Sequence, residues 1–190
     1  MIDRTLNENV RAIANLPERP RTALEVGALP DRYGVLANLP DIPERLGINL
    51  GLEGSCDGLE VVRGDARELP WPDGYFDLVV CASTLEHIPD FWRACAEMKR
   101  VLAARGTALI STPGFAELRG ESRMHRLARR LGLPDVAVRG TVTMRVHDTH
   151  DFYRFSEDAY REVIMSGLED VRIWRIMLPP RIFGMGTKGA

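Results

Sequence analysis

Glycine or a polar side chain stands at the end of each β-rich run in the first 113 residues: Gly27 in TALEVG, Asn49 in LGINL, Asp65 after LEVVRG, Ser83 after FDLVVCA and Thr112 after TALIS. A glycine at a strand end lets backbone approach a ligand closely. Asn, Asp and Ser exchange hydrogen bonds with hydroxyl and amino groups. His87 follows within LEHIP, and imidazole is the side chain suited to proton transfer near neutral pH. Without chemistry, the same histidine caps the next helix or bonds backbone. Further on, HDTHD places His147 and His150 beside Asp148 and Asp151, and FYRF adds Tyr153 and Arg154. That spacing invites a metal, since His and carboxylate are ordinary ligands. No third ligand cluster accompanies it, however, and no metal is expected. The segment reads instead as a substrate-binding face, through His147, Tyr153 and Arg154, with His150 as a second candidate base. Packing against the last helix, or a rim ion pair for Arg154, explains the same residues structurally.

The elements that must position these residues alternate. Residues 22–27, 46–50, 59–62, 76–81 and 107–111 read as strands, and 76–81 is apolar except for Asp77, as a strand buried on both faces should be. Phe91, Ala94, Cys95, Met98, Val101 and Leu102 recur at helical spacing. Strands alternating with a helix over short loops imply a parallel sheet, whose ligands bind beyond the carboxyl ends of the strands. Residues 1–20 are a further helix candidate, with Val10, Ile13 and Ala14 against the sheet. Between the first two strands, Pro30, Pro40 and Pro43 leave room for two helical turns over 32–39. Ser156 is an N-cap for a helix that stops at Gly167. The runs 171–178 and 182–185 are separated by Pro179-Pro180-Arg181 alone. That link is too short for a parallel crossover, so these strands must be antiparallel neighbours.

Residues 115–150 stand outside this alternation and read as a lid over the strand ends. Arg119, Arg123, Arg126 and Arg130 fall on one stripe of a helix over 115–131. They form either a solvated face or a recognition surface for an anionic group.

Composition sets the frame. The chain has 190 residues, enough for one domain with a proper core, and a net charge of −2 from 27 acids and 25 bases. Such a balance gives no field for nucleic acid or a membrane surface. Cys56, Cys81 and Cys95 have no CxxC spacing and suit buried reduced thiols. No stretch is long and apolar enough to span a bilayer and MIDRTLNENVRAI has no signal-peptide pattern, so a cytoplasmic protein is expected.

The segment GDARELPWPDGYFDLVVCASTLEHIPDFWRACAEMKRVL resembles the core pattern of the class I S-adenosylmethionine-dependent methyltransferases, nearest the methyltransferase type 11 group. HDTHDFYRFSEDAYREVI is similar to a second stretch of some members. The resemblance implies a Rossmann-like three-layer α/β sandwich in one domain, with a seven-stranded, mostly parallel sheet whose last strand is antiparallel. It implies S-adenosyl-L-methionine as cofactor and a small-molecule acceptor. Residue by residue, it puts Glu25 and Gly27 at the methionine moiety, Asn49 at the ribose hydroxyls, Asp65 and Ala66 at the adenine and Ser83 beneath the sulfonium. Methyl transfer is an in-line displacement that needs positioning, and a base only for an O–H or N–H nucleophile. Two positions depart from the pattern. Gly27-Ala28-Leu29-Pro30-Asp31 replaces the glycine-rich turn, and Asn49 stands where an acid is usual. The alternative these departures raise is a methyltransferase-like scaffold subunit that has lost the cofactor.

Overall fold

The computed structural model describes residues 2–114, 127, 130–132, 150–177 and 180–190. The expected lid, most of the arginine stripe and His147 fall outside the described residues.

Strand β1 (Thr22–Val26) pairs in parallel with β2 (Glu44–Asn49) and with β5 (Phe76–Ala82). β4 (Leu59–Arg63) extends the sheet beyond β2, and β6 (Leu102–Pro113) beyond β5, both parallel. β7 (Glu169–Met177) and β8 (Pro180–Thr187) are antiparallel neighbours, with β8 inserted antiparallel against β6. The short link had required this pairing. The sheet has eight strands, not seven, in the order β3-β4-β2-β1-β5-β6-β8-β7. The additional strand, β3 (Gly54–Cys56), doubles back against β4 and forms one edge. It is too short and polar to carry an alternating pattern, so periodicity gave no sign of it.

Both faces are covered. Leu24, Val26, Ile48, Val79 and Cys81 pack with Ala94, Cys95, Met98 and Val101 of α2 (Phe91–Val101). The opposite face, with Ala23, Val61, Leu78 and Val80, packs under Ile13 of α1 (Ile2–Ala14) and Val35, Leu36 and Ala37. The expected two helical turns over 32–39 shrink to one 3-10 turn, Leu36–Asn38. Cys81 and Cys95 are buried and all three cysteines are free. Among the described residues no helix is long and apolar enough to cross a membrane.

Motif residues pin the loops. Asp77 Oδ2 accepts from the amides of Arg21 and Thr22, at 2.8 and 3.1 Å, and fixes the start of β1. The segment between β4 and β5 has no helix. It is held by α2: Glu97 Oε2 accepts from Leu69 N at 2.8 Å, and Arg100 donates to the carbonyls of Leu69 and Trp71, both at 2.9 Å.

Ser156 Oγ accepts from Ala159 N at 3.1 Å and caps α3 (Glu157–Ala159), which widens into a π turn over Tyr160–Ile164. Tyr160 is fully buried. Its hydroxyl lies 2.8 Å from Thr112 Oγ1 and 3.2 Å from the Ile182 carbonyl. A carbonyl only accepts, so Tyr160 donates to Ile182 and Thr112 donates to Tyr160. Thr112, next to last in β6, thus stands at the carboxyl end where the sequence placed it, with its hydroxyl committed to the core. Removing the Tyr160 hydroxyl strands a buried donor and a buried acceptor. Tyr160→Phe should lower stability by about 1–2 kcal/mol, read as an earlier urea midpoint with an unchanged slope.

Candidate functional site

A cavity of about 510 Å³ opens at the carboxyl ends of β1, β2, β4 and β5. Ligand pockets of this fold class sit at that edge and span roughly 300–1,000 Å³. Gly27, Asn49, Asp65, Ala66, Ser83 and His87 all line it. A larger groove of about 860 Å³ lies at the opposite strand edge, between residues 16–21 and 104–107, where this architecture does not build ligand sites.

Gly27 answers a steric demand. Its φ is +81°, and a Cβ there would fall 1.9 Å from Thr84 Oγ1. Thr84 in turn lies 3.3 Å from the Val26 carbonyl and 3.1 Å from that of Ala82, closing β1 onto β5. Ala28 has an ordinary backbone conformation and needs no glycine. Its methyl rests on Gly47, where a Cβ would come within 2.5 Å. Leu29 lines the cavity without closing it, and Pro30 packs against Gly54 of β3.

Glu25 does not reach the cavity, contrary to the expected contact with a methionine moiety. It is only 4% exposed, and its two oxygens accept from the amides of Val35 and Leu36, each at 2.9 Å. The carboxylate thus caps the 3-10 turn and is no part of the cavity wall. Burial pushes this carboxyl up to about 7, against the pull of the two amides.

Asn49 ends β2 with its side chain largely spent. Nδ2 donates to the Ala28 carbonyl at 2.9 Å, and Oδ1 accepts from the amides of Gly51 and Leu52 at 3.0 and 3.1 Å. An acid could take the two amides but could not donate to Ala28. The departure at this position is therefore matched to the departure in the turn after β1. One Nδ2 hydrogen is left over, a donor suited to a hydroxyl oxygen.

Asp65 is gripped by Arg67. The guanidinium reaches both carboxylate oxygens at 2.6–3.1 Å, and Nη1 continues to Asp90 at 3.0 Å. This fork holds the Asp65 carboxyl below the usual carboxylate range. The Arg67 amide also donates to Oδ1, at 2.9 Å. The Asp65 side chain nonetheless stays 36% exposed and lines the cavity. Leu50 is 70% exposed and, with Leu29, gives the cavity an apolar rim. An exposed leucine at the mouth of a pocket suits the face of a planar ring. Sequence reading passed over Arg67 and Leu50. Only Arg67, two residues from Asp65, carried a visible signal.

Ser83 has a left-handed backbone, φ +55°, and its Oγ accepts from Arg181 Nη1 of β8 at 2.5 Å. Such backbone is held by its surroundings. Here the holders are that bond and the 2.8 Å bond from Ser83 N to the Ser111 carbonyl.

Residues 150–154 lie behind the turn Leu85–His87 and not in the cavity. The Phe152 amide donates to the Glu86 carbonyl at 2.8 Å, and the Tyr153 hydroxyl donates to the Pro89 carbonyl. Arg154 is paired with Asp151. His87 Nδ1 lies 3.0 Å from the His150 carbonyl. Since that oxygen only accepts, Nδ1 carries the proton, and Nε2 is the nitrogen that takes up another. His150 thus meets the site through its carbonyl and not as a base. Tyr153 and Arg154 support the turn and do not line the cavity. Both backbone bonding and cavity lining apply to His87 at once. No three His, Cys, Asp or Glu among the described residues form a metal cluster.

Two outcomes follow. Asn49→Asp installs the acid usual in the family, yet should cost about 1–2 kcal/mol in urea unfolding, because Ala28 loses its donor. The second concerns Glu25. Its folded value, about 7, lies above the unfolded value of about 4.3. The folded state therefore binds the extra proton between those limits, and its stability is lost as pH rises through about 7. Glu25 should account for a fall of up to about 3 kcal/mol from pH 5 to pH 8, and Glu25→Gln should lessen the slope, leaving the part due to Glu86, whose carboxyl burial raises likewise. Asp65, Asp90 and Glu97, whose values are lowered, act below this window.

The family described as "Methyltransferase domain" matches residues 44–110. Ajmaline N-methyltransferase of Rauvolfia serpentina is 34% identical over 106 residues, 49% of this chain and 36% of that protein. A demethylmenaquinone methyltransferase of Listeria monocytogenes is 39% identical over 72 residues, 35% of this chain and 30% of its own length. The chain thus spans about a third of these curated relatives. The structure of Burkholderia thailandensis 1,6-didemethyltoxoflavin-N1-methyltransferase, with 1,6-didemethyltoxoflavin and S-adenosylhomocysteine bound, superposes with a TM-score of 0.69 at 17% identity, covering 98% of this chain and 79% of that one. Haemonchus contortus phosphoethanolamine N-methyltransferase 2, in complex with S-adenosyl-L-methionine, gives 0.63 at 13% identity, over 97% and 53%. The chain therefore has the fold of these S-adenosylmethionine-dependent methyltransferases, and its central segment, residues 44–110, is similar in sequence to the methyltransferase domain.

Proposed function

We propose that this chain binds S-adenosyl-L-methionine in the 510 Å³ cavity and transfers its methyl group to a small-molecule acceptor. The observation that carries this reading is the convergence of Gly27, Asn49, Asp65, Ala66 and Ser83 on one open cavity at the strand ends. The residues fit the cofactor. Asp65 offers an acceptor for an exocyclic amine, and Leu29 and Leu50 offer apolar surface for a purine. Asn49 Nδ2 offers a donor for the ribose, and Gly27 offers backbone without a side chain. The cofactor supplies an electrophilic methyl group. The chain supplies position, and His87 supplies a base where the acceptor nucleophile is protic. The names of the curated relatives, ajmaline N-methyltransferase and demethylmenaquinone methyltransferase, favour a small acceptor. The scaffold alternative needs a cavity filled by Leu29, Pro30 or Tyr33. Leu29 sits at the wall, Pro30 packs on β3, and the Tyr33 hydroxyl accepts from Arg32 at 2.9 Å.

Calorimetric titration with S-adenosylmethionine and S-adenosylhomocysteine tests the reading. Micromolar binding is expected, weakened about tenfold or more in Asp65→Ala, the loss of one hydrogen bond to a charged group. No heat at millimolar ligand would overturn it.

A further inference from the structure

Leu85 and Glu86 are the two residues of LEHIP that do not line the cavity, both fully buried, and Glu86 alone of them is ionisable. Neither carboxyl oxygen has a hydrogen-bond partner among the described residues. A buried carboxylate left this way is costly, and it persists where the charge serves something else. Its Oε1 lies 3.9 Å from His87 Nε2, the ring nitrogen left to take up a proton once Nδ1 donates to His150. An unprotonated carboxylate beside an unprotonated Nε2 would set two lone pairs against each other; a proton on either one turns repulsion into attraction.

We propose that Glu86 is the buried counter-charge that lets His87 receive the proton of an O–H or N–H acceptor, the pair sharing that one proton once it has arrived. This inference rests on the methyl-transfer reading for its purpose and defines the acceptor as a protic nucleophile. In the transfer, the acceptor heteroatom forms its bond to the methyl carbon as the carbon–sulfur bond breaks, its electron pair going to sulfur. The acceptor's proton moves to His87 Nε2. The imidazolium then has the His150 carbonyl on one side and Glu86 on the other. Glu86 touches no reacting atom and is a positioning residue.

The surroundings of Glu86 support an ionisation poised near neutrality. Burial pushes its carboxyl up to about 7, against its own amide, His87 and Arg181, while Asp151 adds to the rise. From the packed elements, Arg181 of β8, Asp151 and Arg154 of residues 150–154, Tyr160 of the π turn and Cys81 of β5 also feel its charge. Asp151 is paired with Arg154, and Arg181 bonds Ser83. His87 is the titratable neighbour on its own turn.

Nitrogen-15 NMR of the histidine rings in the intact protein, at pH 7, tests the pair without an acceptor. His87→Asn identifies the signals. In Glu86→Gln, isosteric but uncharged, His87 Nε2 should move toward the unprotonated range while Nδ1 stays protonated. In Glu86→Asp, which keeps the charge, Nε2 should fall between the two. An Nε2 signal identical in the wild type and Glu86→Gln would overturn the proposal, provided the amide spectrum shows both folded. Calorimetry with S-adenosylhomocysteine separates this from the cofactor reading. Binding should be within about twofold in Glu86→Gln, because Glu86 is not in the cavity wall. Loss of binding in every protein would remove the methyl-transfer reading while leaving the NMR result to decide the pair.

Discussion

The path of the chain out of β1 is set by the buried carboxylate of Glu25. It takes the amides of Val35 and Leu36 and so pulls residues 28–34 into an arch over the ends of β1 and β2. The arch has three further ties. Ala28 is amide-bonded to the Ile48 carbonyl at 3.1 Å and carbonyl-bonded to Asn49, and its methyl lies on Gly47. With these contacts the turn needs glycine at Gly27, where Thr84 leaves no room for a Cβ, and at Gly34, where a Cβ would fall 2.7 Å from the Leu29 carbonyl oxygen. A turn normally built from backbone freedom is here built from side-chain hydrogen bonds. The cavity stays open because Glu25 holds the arch from below, away from the space a ligand would take.

Much of the fold was legible because burial on two faces leaves a continuous apolar run that nothing else imitates. Phe76–Ala82 is such a run, and its partners follow from the need for parallel neighbours. The antiparallel tail was legible from loop length alone. Where the reading failed, the signal was local and the determinant distant. The two helical turns over 32–39 had adequate local sequence, but Glu25 caps the chain at Val35 and Leu36, and Asn38 turns back to the carbonyls of Arg32 and Gly34 at 3.0 and 2.8 Å. β3 exists because β4 offers an edge, not because GSC prefers to be extended.

The site was legible in its positions more than in its roles. Strand ends converge by topology, so five of the six expected cofactor residues share one cavity whatever their side chains do. The roles depend on partners that no spacing reveals. Several motif residues that most resemble the family prove to be fasteners: Asp77 pins β1, while Glu97 and Arg100 of α2 replace a helix between β4 and β5. Likewise Tyr153 and Arg154 brace the turn that carries His87, a step removed from the cavity.

Glu25 and Glu86 make the distinction between fastener and chemistry concrete. Both are buried acids at the sheet's carboxyl edge, and burial pushes both up to about 7. Glu25 reaches that value while accepting two amide bonds, which by themselves would draw it down. Desolvation therefore outweighs two well-formed hydrogen bonds here. Glu86 arrives at the same value with neither oxygen bonded to another residue, its own amide and then His87 and Arg181 drawing its carboxyl down against burial. Amide donors keep their hydrogens at every pH the fold survives, so Glu25 is tied to fixed dipoles. An imidazole 3.9 Å away can gain or lose a proton. The charge on Glu86 is therefore linked to an event at the cavity wall, and the charge on Glu25 is linked only to folding.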